Sequence, residues 1–203
     1  MNNRMTPELA SPLAARAPRF AWLPDALTMA RLAAIPVLWV LALLQMREEL
    51  AIGATVAAFT DVLDGMLARR LGVTSKRGGA MDSTADHLLS TSLVVWLFLF
   101  CPQFFAAEGV RLLVWAAFGL SVLAASWLRF RQIGNLHLYS AKVAGVAGYA
   151  FGLMLLYTGD YNPTVWYVVL GVTYLAGLES LAVIFTRRDV RDHRGTILLP
   201  RRD

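Results

Sequence analysis

Four aspartates, Asp61, Asp64, Asp82 and Asp86, fall close together in an otherwise oily chain. The first two are three residues apart and the last two four apart, so on helices each pair projects from one face. Gly65 and Ala68 continue the first face, and Gly78, four before Asp82, lies on the second. Arg69, Arg70, Lys76 and Arg77 separate the pairs. Two helix ends facing each other would gather four carboxylates, with small residues beside them and cations at the rim. Such a cluster needs neutralising cations, because uncompensated buried charge costs several kcal/mol or forces protonation. Oxygen-only ligands select hard ions such as Mg²⁺, Mn²⁺ or Ca²⁺ over zinc. Two ions held this way can clamp a phosphoryl group while one carboxylate takes a proton. Taken singly, each aspartate reads more simply as a solvated helix-end residue paired with a neighbouring Arg or Lys. The joint spacing, with the glycines, argues for a site.

The elements that must carry these residues are membrane spans. The chain has 203 residues, one domain by length, with 57% hydrophobic and 16% charged residues, too oily for a soluble domain of this size. The fold expected is all-α: a polytopic integral membrane protein with six transmembrane helices and a short N-terminal amphipathic or disordered segment. Residues 1–20 form that juxtamembrane segment, with Phe20 and Trp22 placed to insert, and they lack the apolar core of a signal peptide. Residues 21–186 form the six-helix domain, and 187–203 a basic tail.

Span one starts at Pro24-Asp25, with Asp25 as N-cap, runs to about Gln45 and meets Pro36 midway. Span two covers about Glu49–Arg70, of which only AIGATVAAF is properly apolar; Asp61 and Asp64 lie below it, where ionisable groups mark a cavity or pathway. Leu71–Arg77 is read as a loop and about Gly79–Phe100 as span three. Residues 101–109, with Pro102 and Glu108, are read as a loop. Spans four to six follow at about Val110–Leu128, Tyr139–Tyr157 and Thr164–Phe185, the last carrying Glu179. Ala141, Gly145, Gly148 and Gly152 line one face of span five, which suggests close helix packing within the protomer or in a homodimer. The lone cysteine, Cys101, excludes an internal disulfide and a thiolate metal cluster, and reads as a small apolar residue at a membrane edge.

Of nineteen Lys and Arg residues, only Arg47 and Arg111 fall on the side away from the aspartates. The asymmetry places both termini and the acidic face in the cytoplasm, in a cell inner or plasma membrane. The net charge of +5 is then a topology signal and an attraction to anionic membrane lipids, not a nucleic-acid footprint.

The order D-x-x-D-G-x-x-A-R, eight residues, G-x-x-x-D-x-x-x-D resembles the signature of the CDP-alcohol phosphatidyltransferases. Asp61, Asp64, Gly65, Ala68, Arg69, Gly78, Asp82 and Asp86 meet it without exception. The resemblance implies attack of an alcohol hydroxyl on the lipid-side phosphorus of CDP-diacylglycerol, with CMP leaving. It implies two divalent ions, Mg²⁺ or Mn²⁺, on Asp61, Asp64, Asp82 and Asp86, with Asp86 also accepting the hydroxyl proton. It implies a nucleotide lying against Gly65 and Ala68, with Arg69, Ser75, Gly78 and Thr28 in contact. Where the family often carries asparagine-x-leucine-threonine, this chain has Asp25, Ala26, Leu27 and Thr28. Arg31 follows Thr28 on the next turn. His87 points about 100° away from Asp86 around the helix and is not read as the base.

Arg129, Arg131 and Lys142 are candidates for an anion pocket suited to glycerol 3-phosphate, or simply positive-inside residues. The arginine-glutamate run usual in glycerophosphate-using members is missing from SWLRFRQIGN, so inositol phosphate, serine or choline-type acceptors stay open. Two other classes compete. A cation-coupled transporter would need polar residues through the other half of the membrane, where VVWLFLF offers few, and a scaffold would have no reason to concentrate acids at membrane depth. A hydrolase using water in place of the alcohol is the alternative within the enzyme class.

Overall fold

The computed structural model describes residues 22–71, 76–130, 137–186 and 194–195; within them the side chains at 24, 25, 64, 67–71, 76–78, 80, 137–138 and 194–195 lie outside the description. The expected N-terminal segment, Ser75, Arg131 and nearly all of the basic tail therefore lie outside the described residues.

Six α-helices account for almost all of the described chain: α1 Leu23–Leu43, α2 Arg47–Leu71, α3 Lys76–Phe100, α4 Pro102–Phe130, α5 Tyr139–Thr158 and α6 Pro163–Thr186. A two-residue parallel bridge, β1 His137–Leu138 with β2 Arg194–Gly195, is the one extended pairing among the described residues. Five helices, α1, α3, α4, α5 and α6, are long and apolar enough to cross a membrane. α2 falls short on composition rather than length. Its 25 residues reach about 37 Å, but charged residues at both ends leave only Leu50–Thr60 free of charge.

Three boundaries differ from the sequence-based expectation. α1 is capped by Trp22 without a side-chain hydrogen bond, so Asp25 stands in its first turn rather than at the cap. Pro24 explains this, since its fixed φ suits the opening turn of a helix. α3 begins at Lys76, inside the stretch read as a loop. Residues 101–109 are not a loop: α4 starts at Pro102, where a missing N–H costs nothing, and Glu108 lies within the helix.

α2 packs along α1 with a narrow face of Leu50, Ala51, Ala54 and Ala57 against Ile35, Leu38 and Ala42, all buried. Gly53 sits where a Cβ would come within 2.5 Å of the Leu38 side chain, so glycine sets this close approach. α3 closes over α1 through Trp96, edge-on to Trp39 at 5.8 Å, while Trp39 Nε1 donates to Ser92 Oγ at 3.0 Å. α5 packs on α6, α2 and α3, and α4 rests chiefly on α6 with almost none of its length buried. Large apolar side chains such as Phe59, Val110 and Leu113 face outward, the pattern of a protein whose solvent is hydrocarbon.

The end of the bundle away from the aspartates is held by a buried carboxylate. Glu108 accepts hydrogen bonds from Tyr161 Oη (2.8 Å), Trp166 Nε1 (2.9 Å) and Arg111 (3.0 Å). That bond raises the Tyr161 phenol above its ordinary pKa. Beside it Phe104 packs edge-on to Tyr161 and Trp166. Glu108→Ala strands three donors, so it should lower stability by about 2 kcal/mol, read as an earlier thermal midpoint in detergent; an unchanged midpoint would contradict this role. The α5–α6 turn needs Gly159, whose φ of +75° is left-handed and whose missing Cβ leaves room for the Arg47 guanidinium. Cys101 is buried, its Sγ–H donating to the Leu155 carbonyl at 3.5 Å; burial also pushes the thiol pKa up, so it stays protonated.

Candidate functional site

Three helices bring the acidic residues together. Asp61 comes from the second half of α2, and Asp82 and Asp86 from the first half of α3, one turn apart on a single face. At their centre stands a residue from α1. Arg31 NH1 contacts Asp61 Oδ1 and lies 3.3 Å from Asp82 Oδ1 and 3.4 Å from Asp86 Oδ1. The Arg31 side chain is wholly buried, whereas those of Asp61, Asp82 and Asp86 are 32, 41 and 51% exposed. The cluster therefore has a closed floor, made by the cation, and an open mouth, made by the acids.

One guanidinium carries one positive charge against three carboxylates, so the described cluster has a surplus of negative charge facing its opening. Among the described residues no group of three acids is arranged to hold a metal ion on its own, the Asp64 side chain lying outside them. The Oδ1 atoms of Asp61, Asp82 and Asp86 converge on the Arg31 nitrogen, and an oxygen-only, partly open donor set of this kind would suit a hard divalent cation in its place. Neighbouring hydroxyls do not compete for it: Thr60 bonds to the Ala57 carbonyl at 2.7 Å and Ser83 to the Gly79 carbonyl at 3.0 Å. Asp64 lies on α2 one turn beyond Asp61, with its side chain outside the described residues, as are those of Ala68, Arg69 and Gly78.

Other expected residues fall as follows. Gly65 is half-buried on α2, and Thr28 is buried on α1 one turn before Arg31. His87 is exposed, and its Nδ1 bonds to the Ser83 carbonyl of its own helix, which keeps it out of the cluster. Lys142 is exposed in the first turn of α5, and the Arg129 guanidinium lies over the adjacent Phe130 ring at 5.8 Å.

Two features escaped the sequence reading. One is Arg31 itself, whose signal was a cation within an otherwise apolar span, a costly placement that calls for a partner. The other is Tyr149 on α5, whose buried hydroxyl has no hydrogen-bond partner. It lines a cavity of about 430 Å³ together with Asp61, Asp86, Thr55 and Phe59.

The described residues make an all-helical bundle of membrane-type spans with Asp61, Asp82 and Asp86 gathered round Arg31 at one end. The family model for CDP-alcohol phosphatidyltransferases matches residues 21–178, and the chain belongs to that family. Among curated relatives, it is 35% identical over 78 residues to the CDP-diacylglycerol–glycerol-3-phosphate 3-phosphatidyltransferase of Rickettsia bellii, covering 37% of this chain and 43% of that one. It is 54% identical over 39 residues to the archaetidylinositol phosphate synthase of Pyrococcus horikoshii, covering 19% and 21%. The chain thus spans less than half the length of the curated relatives it matches. No solved structure matches.

Proposed function

We propose that this protein transfers a phosphatidyl group from CDP-diacylglycerol to a small alcohol, releasing CMP, with two divalent ions held by Asp61, Asp64, Asp82 and Asp86. The observation that carries the reading is the convergence of Asp61, Asp82 and Asp86 on one cationic nitrogen at an open end of the bundle. α2 is the sixth crossing in this reading, because it runs the length of α1 and must follow it through the bilayer. The basic residues around the α2–α3 connection and the 129–142 region set the acidic end in the cytoplasm.

Divalent ions such as Mg²⁺ or Mn²⁺ would supply the positive charge that neutralises the diphosphate and the developing charge on CMP. The protein's own groups do the rest. Asp86, the most exposed of the three described acids, is the one open to an arriving alcohol and accepts the hydroxyl proton in this reading. Asp61 and Asp82 hold negative charge in place beside the buried Arg31. Gly65 and Ala68 leave the α2 backbone bare for the nucleotide, and Arg69, Ser75, Gly78 and Thr28 complete its contacts. Arg129, Arg131 and Lys142 bind the acceptor, with glycerol 3-phosphate favoured by the longer of the two relative matches.

The deciding experiment uses purified protein, CDP-diacylglycerol, Mg²⁺ or Mn²⁺ and a panel of glycerol 3-phosphate, inositol phosphate, serine and choline. Metal-dependent CMP release that requires one alcohol is expected. CMP release with water alone would make it a hydrolase, and none at all would end the reading. Gly65→Leu should weaken CDP-lipid binding at least tenfold, since about 1.4 kcal/mol of clash suffices; unchanged affinity would place the nucleotide elsewhere.

A further inference from the structure

Tyr149 stands ten residues from the start of α5, Asp86 ten from the start of α3 and Asp61 ten from the end of α2. These three helix ends lie together at the acidic end of the bundle, because α4 carries the chain back there before α5 begins. At 1.5 Å per residue each of the three residues is about 15 Å from that end, so the phenol and the two carboxylates lie at one depth. They share the walls of the cavity of about 430 Å³ between α2, α3 and α5.

Among the described residues lining that cavity, Tyr149 alone has a buried hydroxyl without a hydrogen-bond partner. Thr55, on α2, donates to the Ala51 carbonyl at 2.8 Å, and Ser90 is exposed. A buried donor left unpaired costs free energy, so a ligand that brings an acceptor oxygen to it is favoured. There is room for that oxygen. A long side chain on a helix lies over the turn before it, and before Tyr149 that turn holds Gly145. A Cβ at Gly145 would meet nothing within 4 Å, whereas one at Gly152 would come within 3.1 Å of Leu93. The Gly152 end of the small-residue face therefore packs closely on α3, while the Gly145 end opens onto the cavity.

We propose that the Tyr149 hydroxyl donates to a non-bridging oxygen of the lipid-side phosphate of the CDP-lipid and holds that phosphorus in line for attack. The inference rests on the phosphatidyl-transfer reading and adds one residue to its machinery. Depth selects the phosphate. The acids face the diphosphate in that reading, so a donor level with them meets phosphate oxygen, not the glycerol esters further into the bilayer. The alcohol comes from the open side, at Asp86, and Tyr149 approaches from the buried side. As the alcohol oxygen bonds to phosphorus, the bond from phosphorus to the bridging oxygen breaks. Its electron pair leaves with CMP, and the hydroxyl proton passes to Asp86. Tyr149 keeps its own proton throughout and fixes orientation, where a misplacement of about 1 Å can cost about a hundredfold in rate.

The test compares full-length wild type and Tyr149→Phe in phosphatidylcholine nanodiscs, with whichever alcohol of the panel supports turnover. The donors are CDP-diacylglycerol and its two diastereomers carrying sulfur in place of one non-bridging oxygen on the lipid-side phosphorus. Tyr149→Phe removes the hydroxyl and keeps the ring, and should lower kcat/KM for CMP release at least tenfold. For one diastereomer, sulfur, a poor acceptor, should slow the wild type at least fivefold more than it slows the variant, since losses of the two partners of one bond do not add. A purely structural role for Tyr149 would leave that difference at zero. The thermal midpoint of the lipid-free variant should equal or exceed that of wild type, because an unpartnered polar group has left the interior. A lowered midpoint, a kcat/KM within tenfold of wild type, or sulfur effects within fivefold of each other in the two proteins would each overturn the proposal. A wild type that releases no CMP would sink the transferase reading and this inference together, whereas CMP release with unaltered kinetics in the variant would sink the inference alone.

Discussion

Asp86→Asn should stop CMP release while the CDP-lipid still binds. The substitution keeps the shape of the side chain and removes its capacity to take a proton. A positioned general base contributes roughly 10²–10⁴-fold, so kcat should fall by that factor at least, the more so because Asp86 also lends charge to the ion site. Binding should change much less, since Gly65, Ala68 and Arg69 on α2 contact the nucleotide in this account. Single-turnover CMP release and equilibrium binding of CDP-diacylglycerol separate the two effects. A kcat within tenfold of wild type would remove Asp86 as the base.

Arg31→Met should destabilise the metal-free protein and exaggerate its response to metal. Arg31 is the buried countercharge to Asp61, Asp82 and Asp86. Removing one partner of a buried ion pair costs about 3–5 kcal/mol. The three carboxylates are one third to one half exposed, and water screening brings the expected loss to about 2–3 kcal/mol. A divalent ion binding only the folded state restores stability by mass action. Saturating Mg²⁺ should therefore raise the variant's thermal midpoint by more than it raises the wild type's, because no guanidinium has to yield its place. Equal metal-induced shifts would mean that Arg31 and the ions do not share the acids.

Much of this architecture could be read before any coordinates, and the failures have physical causes. Uniform apolar runs longer than about 18 residues declare themselves by composition, and α1, α3, α5 and α6 were legible for that reason. α4 was cut short because Pro102 and Glu108 look like a membrane exit. Pro102 is a helix start, and Glu108 is made tolerable by Tyr161 and Trp166, more than fifty residues away. Partners that distant leave no local trace. In the site, Asp61, Asp82 and Asp86 were legible because helical spacing converts directly into a shared face. Arg31 was in plain view as a cation in an oily span, yet its partners lie on other helices, and helix-to-helix register is not written in spacing. The open ground beside Gly145 was hidden likewise, since a small-residue face serves close packing and a cavity equally well.

Mn²⁺ binding followed by electron paramagnetic resonance tests the central claim most directly. The account predicts two Mn²⁺ ions per protomer with mutually broadened spectra, as expected for ions about 3.5–4 Å apart in a shared carboxylate site. Binding should fail in Asp61→Asn and in Asp82→Asn. Free aqueous Mn²⁺ signal at every protein concentration, or binding that survives both substitutions, would contradict it.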